Sequence, residues 1–388
     1  MRRILIGAAV AATSVLGAGQ AAIADDTLTI GVHASFSGAG AAFAQGMLAA
    51  TEFAAEDVNK QGGLEVAGKR HKIEIKQYDD RYRAQDAVTA MDRLIVQDKV
   101  KFVVGPMGSA AAVATKDQST SAKVITMTLA FSPRALGADA PYAYRPVLTT
   151  VEFSEPQVAW LVKKNASKQV VALLPNDETG QQMGAGNVAA YAKAGSKLQV
   201  DFFERERVDF VPILTRALRS ADALEIGGNA PTTAGVIVKQ ARELGYKGPI
   251  YVTGGDVAAE LVKVAGKQAA EGTYVHLAID GGLPATGGYV SRYSAKYGAN
   301  MNAFSPFFYS GLQMLFSAMQ KAGTVEDTTK IAKELDAVSG FPTVMGKAGW
   351  TGAERYGSAR QIDLPFYIGQ IKDGVVVKVA DCTSSECK

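Results

Sequence analysis

The sequence predicts an α/β protein made of two doubly wound parallel-sheet lobes. Three observations carry that prediction. Apolar strand-like runs alternate with amphipathic helical stretches along most of the chain, which implies parallel sheets with helices on both faces. The rhythm breaks once, at Tyr142–Glu155, among Pro141, Pro146 and Pro156, and then restarts. Finally, the chain has 388 residues, a length that suits two domains rather than one core.

The first half reads in order. Thr27–Val32 alternates as a strand and runs into a Ser-Gly-rich loop over His33–Ala42. Met47–Asn59 is helical through Leu48, Phe53, Ala54 and Val58, ending at Gly62-Gly63. Lys72–Tyr78 is a strand closed by Asp79-Asp80, and Gln85–Asp98 is a helix with Val88, Met91, Leu94 and Ile95 on one face. Lys101–Gly105 reads as strand, Ala110–Ser119 as helix and Val124–Leu129 as strand.

After the break come helix Gln157–Lys164, strand Val170–Leu174, helix Gln182–Ala194 and strand Leu198–Arg205. Helix Phe210–Ser220, strand Ala223–Gly227, helix Thr232–Leu244, strand Ile250–Thr253 and helix Val257–Val264 follow. Gly272–Ala278 is a further strand, and Gly287–Tyr297, Ser305–Ala322 and Thr328–Val338 are helices. Trp350–Val379 alternates and turns like antiparallel edge strands.

The first residues read as an export leader. Arg2 and Arg3 precede an apolar stretch ending in Ala22-Ile23-Ala24, a charged region, a hydrophobic region and a small-residue cleavage site. A membrane-spanning helix is the poorer reading, because the stretch is short and interrupted by Gly. Cleavage after Ala24 leaves 364 residues and, with both leader arginines gone, lowers the formal charge from +3 to +1. That balance gives no case for nucleic acid. The only cysteines, Cys382 and Cys387, would close a disulfide loop in an oxidising compartment or remain free thiols. No metal ligand set and no cofactor motif is evident.

Two strand-to-helix turns stand out. One runs Val103-Val-Gly-Pro-Met-Gly-Ser109, the other Thr128-Leu-Ala-Phe-Ser-Pro133. Each breaks at small residues and offers a hydroxyl where a helix should begin, with Pro133 at a favoured first position. Adjacent helix N-termini at the ends of parallel strands make an anion site. Facing them, the second half has Pro175–Gly180, Gly227-Gly228-Asn229 and Gly254-Gly255-Asp256 after its own strands, where ligands bind in open α/β sheets.

With these residues in view, the chain resembles the substrate-binding proteins of ABC importers of the type I periplasmic fold, the branched-chain amino-acid (Leu/Ile/Val-binding) family. The resemblance rests on Leu28-Thr-Ile-Gly-Val, Ser37-Gly38, Asp57-Val-Asn-Lys-Gln-Gly-Gly, Tyr78-Asp-Asp, Val103-Val-Gly-Pro, Gly227-Gly228, Val344-Met-Gly-Lys and Trp350. It implies two lobes joined by a three-segment hinge, with crossovers near 146–151, 271–278 and 347–353. Lobe one is then 25–148 plus 275–350, and lobe two 149–274 plus 351–388, after a signal peptide over 1–24. It further implies a small-molecule carboxylate ligand, an inner-membrane permease as partner, a periplasmic location and a monomer.

Carried over residue by residue, the resemblance places Ser109 on the ligand carboxylate, Ala130 at a backbone contact and Ser132 at a hydroxyl meeting both charged ends of an amino acid. Phe43 and Tyr309 become aromatic lining. Thr179 and Asn229 fall where the family often has Tyr. The family's acid for the ligand ammonium aligns with Gly255; Asp256 takes that role only with a shift of one residue, so aromatic acids and small amides stay open beside amino acids.

The plain readings are that Ser109, Ser132 and Asp256 cap helices, Phe43 packs a loop, and Thr179 and Asn229 make turns. Arg134 would point to solvent, and Asp79-Asp80 would end a strand and make a turn. An enzyme is not expected: there is no nucleophile elbow, Walker loop or dinucleotide fingerprint. His33 has no evident partner acid, His71 reads as surface and His276 lies in a strand. A ligand sensor and an exported hydrolase are the competing functions.

Overall fold

The computed structural model describes residues 26–388 except 256, 299, 300 and 303. The expected leader over 1–24 and the role given to Asp256 therefore lie outside the described residues.

Lobe one holds β1 (Asp26–Ala34), β2 (Leu64–Val66), β3 (Lys69–Asp79), β4 (Phe102–Met107), β5 (Ile125–Leu129) and β6 (Ala143–Tyr144). They form one sheet in the order β2-β3-β1-β4-β5-β6. All neighbours are parallel except β2, which turns back on β3. Lobe two holds β7 (Gln169–Pro175), β8 (Lys197–Phe203), β9 (Ala223–Glu225), β10 (Ile250–Val252) and β11 (Tyr274–Leu277). The closing segment gives β12 (Phe341–Thr343), β13 (Gly346–Thr351), β14 (Gln361–Asp363), β15 (Phe366–Lys372) and β16 (Val375–Cys382). The second sheet runs β16-β15-β11-β10-β9-β7-β8, while β12-β13-β14 form a small sheet of their own.

Sheet membership moves the expected boundaries. The anticipated break at 274/275 falls inside β11, which pairs with β10 and β15 in the second sheet. The chain therefore leaves lobe two after Leu277. At the third crossing, β13 and β14 belong to the small separate sheet, and Gln361 bridges to Arg145.

Helix starts differ where local hydrogen bonding outweighs proline. Thr150–Asn165 is one helix that runs through Pro156, although the sequence suggested a start at Gln157. A capping box begins it: Thr149 Oγ1 accepts from Val151 N, and Glu152 Oε2 accepts from Thr149 N at 2.9 Å. The helix after β3 is α-helical over Ala84–Asp92 and ends in a π-helical turn, Arg93–Gln97. Ala41–Lys60 buries Phe43, Met47, Ala50, Phe53 and Ala54 at the helical spacing of a core face. His71 is buried rather than on the surface, because its strand is flanked by β1 and β2. Cys382 and Cys387 are joined by a disulfide that clips the end of β16.

Candidate functional site

The carboxyl ends of the parallel strands of the two sheets face each other across a narrow, nearly filled slot. Lobe one lines it with Phe43, Tyr82, Gly108, Ser109, Leu129 and Phe131. The opposite wall is Thr179, Gly228, Asn229, Gly254 and Gly255. Four residues singled out from the sequence, Phe43, Ser109, Thr179 and Asn229, thus meet in one place.

Ser109 is fully buried and is the first residue of helix Ser109–Ser121; Gly108, at φ +91°, takes the N-cap position instead. Freed from capping, Ser109 Oγ accepts from Phe131 N and Ser132 N, both at 3.0 Å. Its two lone-pair positions are then filled, and the hydroxyl proton is what remains to offer. The Ser109 amide donates across the slot to Thr179 Oγ1 at 3.3 Å.

Behind this grip lies a cation with no motif of its own in the sequence. Arg145 is completely buried. Its Nη1 donates to Ala130 O at 3.1 Å and Ser132 O at 3.0 Å, its Nε donates to Gln361 Oε1 at 2.6 Å, and its guanidinium stacks on Tyr356 at 4.7 Å. The carbonyl of Ala130 and the N–H of Phe131 belong to one peptide and point opposite ways. The guanidinium holds the carbonyl end, so the N–H end is aimed at Ser109 Oγ. A hydrogen-bonded line thus runs from a buried charge through a peptide to the hydroxyl at the slot, each link polarising the next. Of the backbone contact expected from Ala130, the carbonyl is taken by Arg145, and Ala130 is not among the residues lining the slot.

Ser132 also departs from expectation. It caps only the short 3₁₀ turn Pro133–Ala135, accepting from Arg134 N at 3.2 Å, so the second lobe-one turn does not open a full helix. Its hydroxyl donates to Glu178 Oε1 of lobe two at 2.7 Å, and Arg134 Nη1 lies 3.4 Å from Glu178 Oε2 rather than reaching into solvent alone. These contacts clasp the lobes at the rim. Arg205 of lobe two adds to the clasp by stacking on Tyr82 at 4.4 Å, and Phe131 meets Phe153 edge-on at 6.1 Å.

Tyr82 is a second residue that no motif marks. The Asp79-Asp80 turn was anticipated, but not that it presents a tyrosine in left-handed backbone at φ +63°. Asp80 Oδ1 accepts from Tyr82 N at 2.9 Å and from Ser35 Oγ, and Asp80 Oδ2 lies 3.1 Å from His33 Nε2. His33 therefore does have an acid beside it. The acid stands between hydroxyl and imidazole, however, which is not a nucleophile–base order.

Tyr309 is not at the slot. It lies on helix Ser305–Ala322, packs on Tyr289 and donates to Asp57 Oδ2 at 2.7 Å. His276 is buried against Phe366 and Phe153, with Nδ1 3.1 Å from Gln157 Oε1, and burial pushes its imidazole down to about 3.

Lobe two's wall is mostly bare backbone. Gly254, at φ +78°, lies so close to the Phe153 ring that a Cβ would collide with it. Asn229 Nδ2 donates inward to Leu173 O and Ile226 O, both at 2.9 Å. That fixes which way the amide faces. Its Oδ1 is buried and has no partner among the described residues. One wall therefore offers a donor, Ser109 O–H, and the other an unused acceptor. Among the described residues no cluster of His, Cys, Asp or Glu could hold a metal, and no helix is long and apolar enough to cross a membrane.

A family model described as periplasmic binding protein matches residues 27–375. An amino acid binding protein of Pseudomonas aeruginosa is 28% identical over 346 residues, covering 88% of this chain and 90% of its own. A leucine binding protein of Thermotoga maritima superposes with a TM-score of 0.81 at 23% identity, covering 92% of this chain and 98% of that one. A solute binding protein of an ABC transporter from R. palustris, solved with benzoate, superposes with a TM-score of 0.79 at 18% identity, covering 93% and 97%.

Proposed function

The chain belongs to the periplasmic binding protein family, and we propose that it is the substrate-binding component of an ABC importer that captures a small carboxylate between its lobes. No chemistry is performed; the closed form would be delivered to an inner-membrane permease. The observation that carries this reading is Ser109. With Phe131 N and Ser132 N already donating to its Oγ, it has one proton to give, in line with a buried guanidinium. A carboxylate is the acceptor that gains most from such a donor.

Asn229 Oδ1 supports a ligand with a hydrogen-bond donor at its other end, as an amino acid has. The Pseudomonas relative, named for amino acid binding, points the same way. A second reading, an aromatic carboxylate, has its own support. Gly255 stands where the family's amino-acid binders place an acid, and Phe43, Tyr82 and Phe131 bring three aromatic rings to the slot.

The test is thermal shift across aliphatic and aromatic amino acids, benzoate and hydroxybenzoates, because a ligand bound to the native state alone raises its stability. Amino-acid hits favour the first reading and benzoate hits the second. Silence across the panel overturns both.

A further inference from the structure

Glu225 ends β9, is completely buried and belongs to neither wall of the slot. Its oxygens nevertheless reach both glycine loops that make lobe two's wall. Oε1 accepts from Gly227 N at 2.7 Å, Thr253 Oγ1 at 2.8 Å and Thr253 N at 3.3 Å. Oε2 accepts from Tyr191 OH at 3.0 Å. Gly227 leads into Gly228-Asn229, and Thr253 leads into Gly254-Gly255, the four residues that with Thr179 face the ligand space. Thr253 Oγ1 in turn accepts from Asn187 Nδ2 at 3.0 Å, and Asn187 Oδ1 from Ser154 Oγ at 2.7 Å, so the tie extends into two helices. Gly227 fits tightly over it: a Cβ there would stand 2.8 Å from Glu225 Oε1.

We propose that Glu225 is a positioning residue, acting through Gly227 and Thr253 on both cleft loops and coupling the shape of lobe two's wall to its own protonation. The geometry explains the coupling. A buried carboxyl that spans two loops cannot be hydrated unless one loop lifts. Ionisation therefore favours the lifted arrangement, and the neutral acid favours the packed one. A cationic group bound in the slot would reverse that preference by stabilising the charge in place.

The titratable groups against Glu225 are Tyr191, from helix Glu178–Lys193, and Tyr251, from β10. Burial, with the nearby carboxyl adding to it, holds both phenols above their ordinary range, so neither carries charge near neutrality. Burial likewise pushes Glu225 up to about 7 from 4.5, against the pull of Thr253, Gly227 and Tyr191 as donors. The packed form thus binds the proton more tightly than the lifted form. Protection of the loops is full below about 4.5, is lost as pH rises towards about 7, and is flat above it.

The experiment is hydrogen–deuterium exchange of the ligand-free protein between pH 4.5 and 8.5, corrected for the intrinsic pH dependence of exchange, following segments 225–229 and 250–255. Both segments are expected to lose protection together, with a plateau above neutrality, and Glu225→Gln to remove the pH dependence from both. Tyr191→Phe, which deletes one donor to the carboxylate, moves the plateau to higher pH and serves if the Gln variant does not fold. Protection that is independent of pH in the natural protein, or a pH dependence that survives in Glu225→Gln or is unmoved in Tyr191→Phe, overturns the proposal. No ligand is present, so this result stands apart from the thermal-shift panel, whose silence would count against the carboxylate reading alone.

Discussion

The two walls of the slot are built on opposite plans. Lobe one presents the side chains of Ser109, Phe43, Tyr82 and Phe131, with the buried Arg145 behind Ser109 through the Ala130–Phe131 peptide. Lobe two presents glycine backbone and one amide oxygen without a partner among the described residues, supported by the buried Glu225. A wall tied to a guanidinium is a fixed grip for an anion. A wall tied to a carboxyl held near 7 is adjustable. On the proposed function, the difference would give the carboxylate end of a ligand to lobe one and leave shape and the second polar end to lobe two.

Arg145→Met is the most severe way to break the contrast. It strips Ala130 O, Ser132 O and Gln361 Oε1 of their donor, and it should cost about 4 kcal/mol of stability in a urea titration, since hydrogen bonds to charged groups are each worth about 1.5–3 kcal/mol. A loss under about 1 kcal/mol would mean that lobe one's grip does not depend on the cation.

Gly254→Ala attacks the other wall. The new Cβ meets the Phe153 ring in left-handed backbone, which should cost about 2–3 kcal/mol from overpacking and strain together. The urea midpoint measures it, and an unchanged midpoint would show that the glycine wall tolerates side chains. Ser109→Ala leaves Phe131 N and Ser132 N without their acceptor, so it should cost about 1–3 kcal/mol of stability and weaken a carboxylate ligand by a similar amount in calorimetry. Equal affinity would remove Ser109 from the grip.

His276 sharpens the contrast through pH. Its imidazole is held down to about 3 by burial, so the unfolded chain binds its proton first. The stability it contributes is present above about 6.5 and lost as pH falls towards 3. Glu225 has the opposite sign, its contribution being lost as pH rises towards 7. The two slopes oppose each other over much of the acid range. Glu225→Gln should therefore leave a stability that falls more steeply on acidification than in the natural protein, read from urea midpoints at pH 5 and 6.5.

Tyr309→Phe is the smallest change. It loses a bond to Asp57, should cost about 1 kcal/mol and should not alter ligand affinity. A clear affinity loss would return Tyr309 to the slot.

Much of the fold was legible, because strand alternation and helical spacing are local properties. Most elements fall within a few residues of their expected bounds, and the exceptions are instructive. Thr149 and Glu152 form a capping box upstream of Pro156, so the proline was read as a start when it sits inside a running helix. β11 was split from its sheet because a strand's sequence does not name its neighbours. Ser109 stands out in the sequence because it follows a strand end, where parallel sheets expose their loops, whereas Phe43, Thr179 and Asn229 come from the family resemblance. Tyr309 misled because an aromatic on an apolar helix looks the same whether that face meets a ligand or another helix.

The sequence by itself determined the two-sheet α/β architecture and which strand-end loops carry the small and hydroxyl residues, since those depend on neighbours along the chain. Only the tertiary structure decided what stands behind the loops. Arg145 is drawn to Ala130 and Ser132 by the crossover, its partner Gln361 arriving from 216 residues away. Glu225 joins Gly227 to Thr253, 28 residues on. Burial converts an ordinary arginine and an ordinary glutamate into the supports of the two walls, and burial is a property of the assembled lobes, because it depends on which distant segments exclude water from a group.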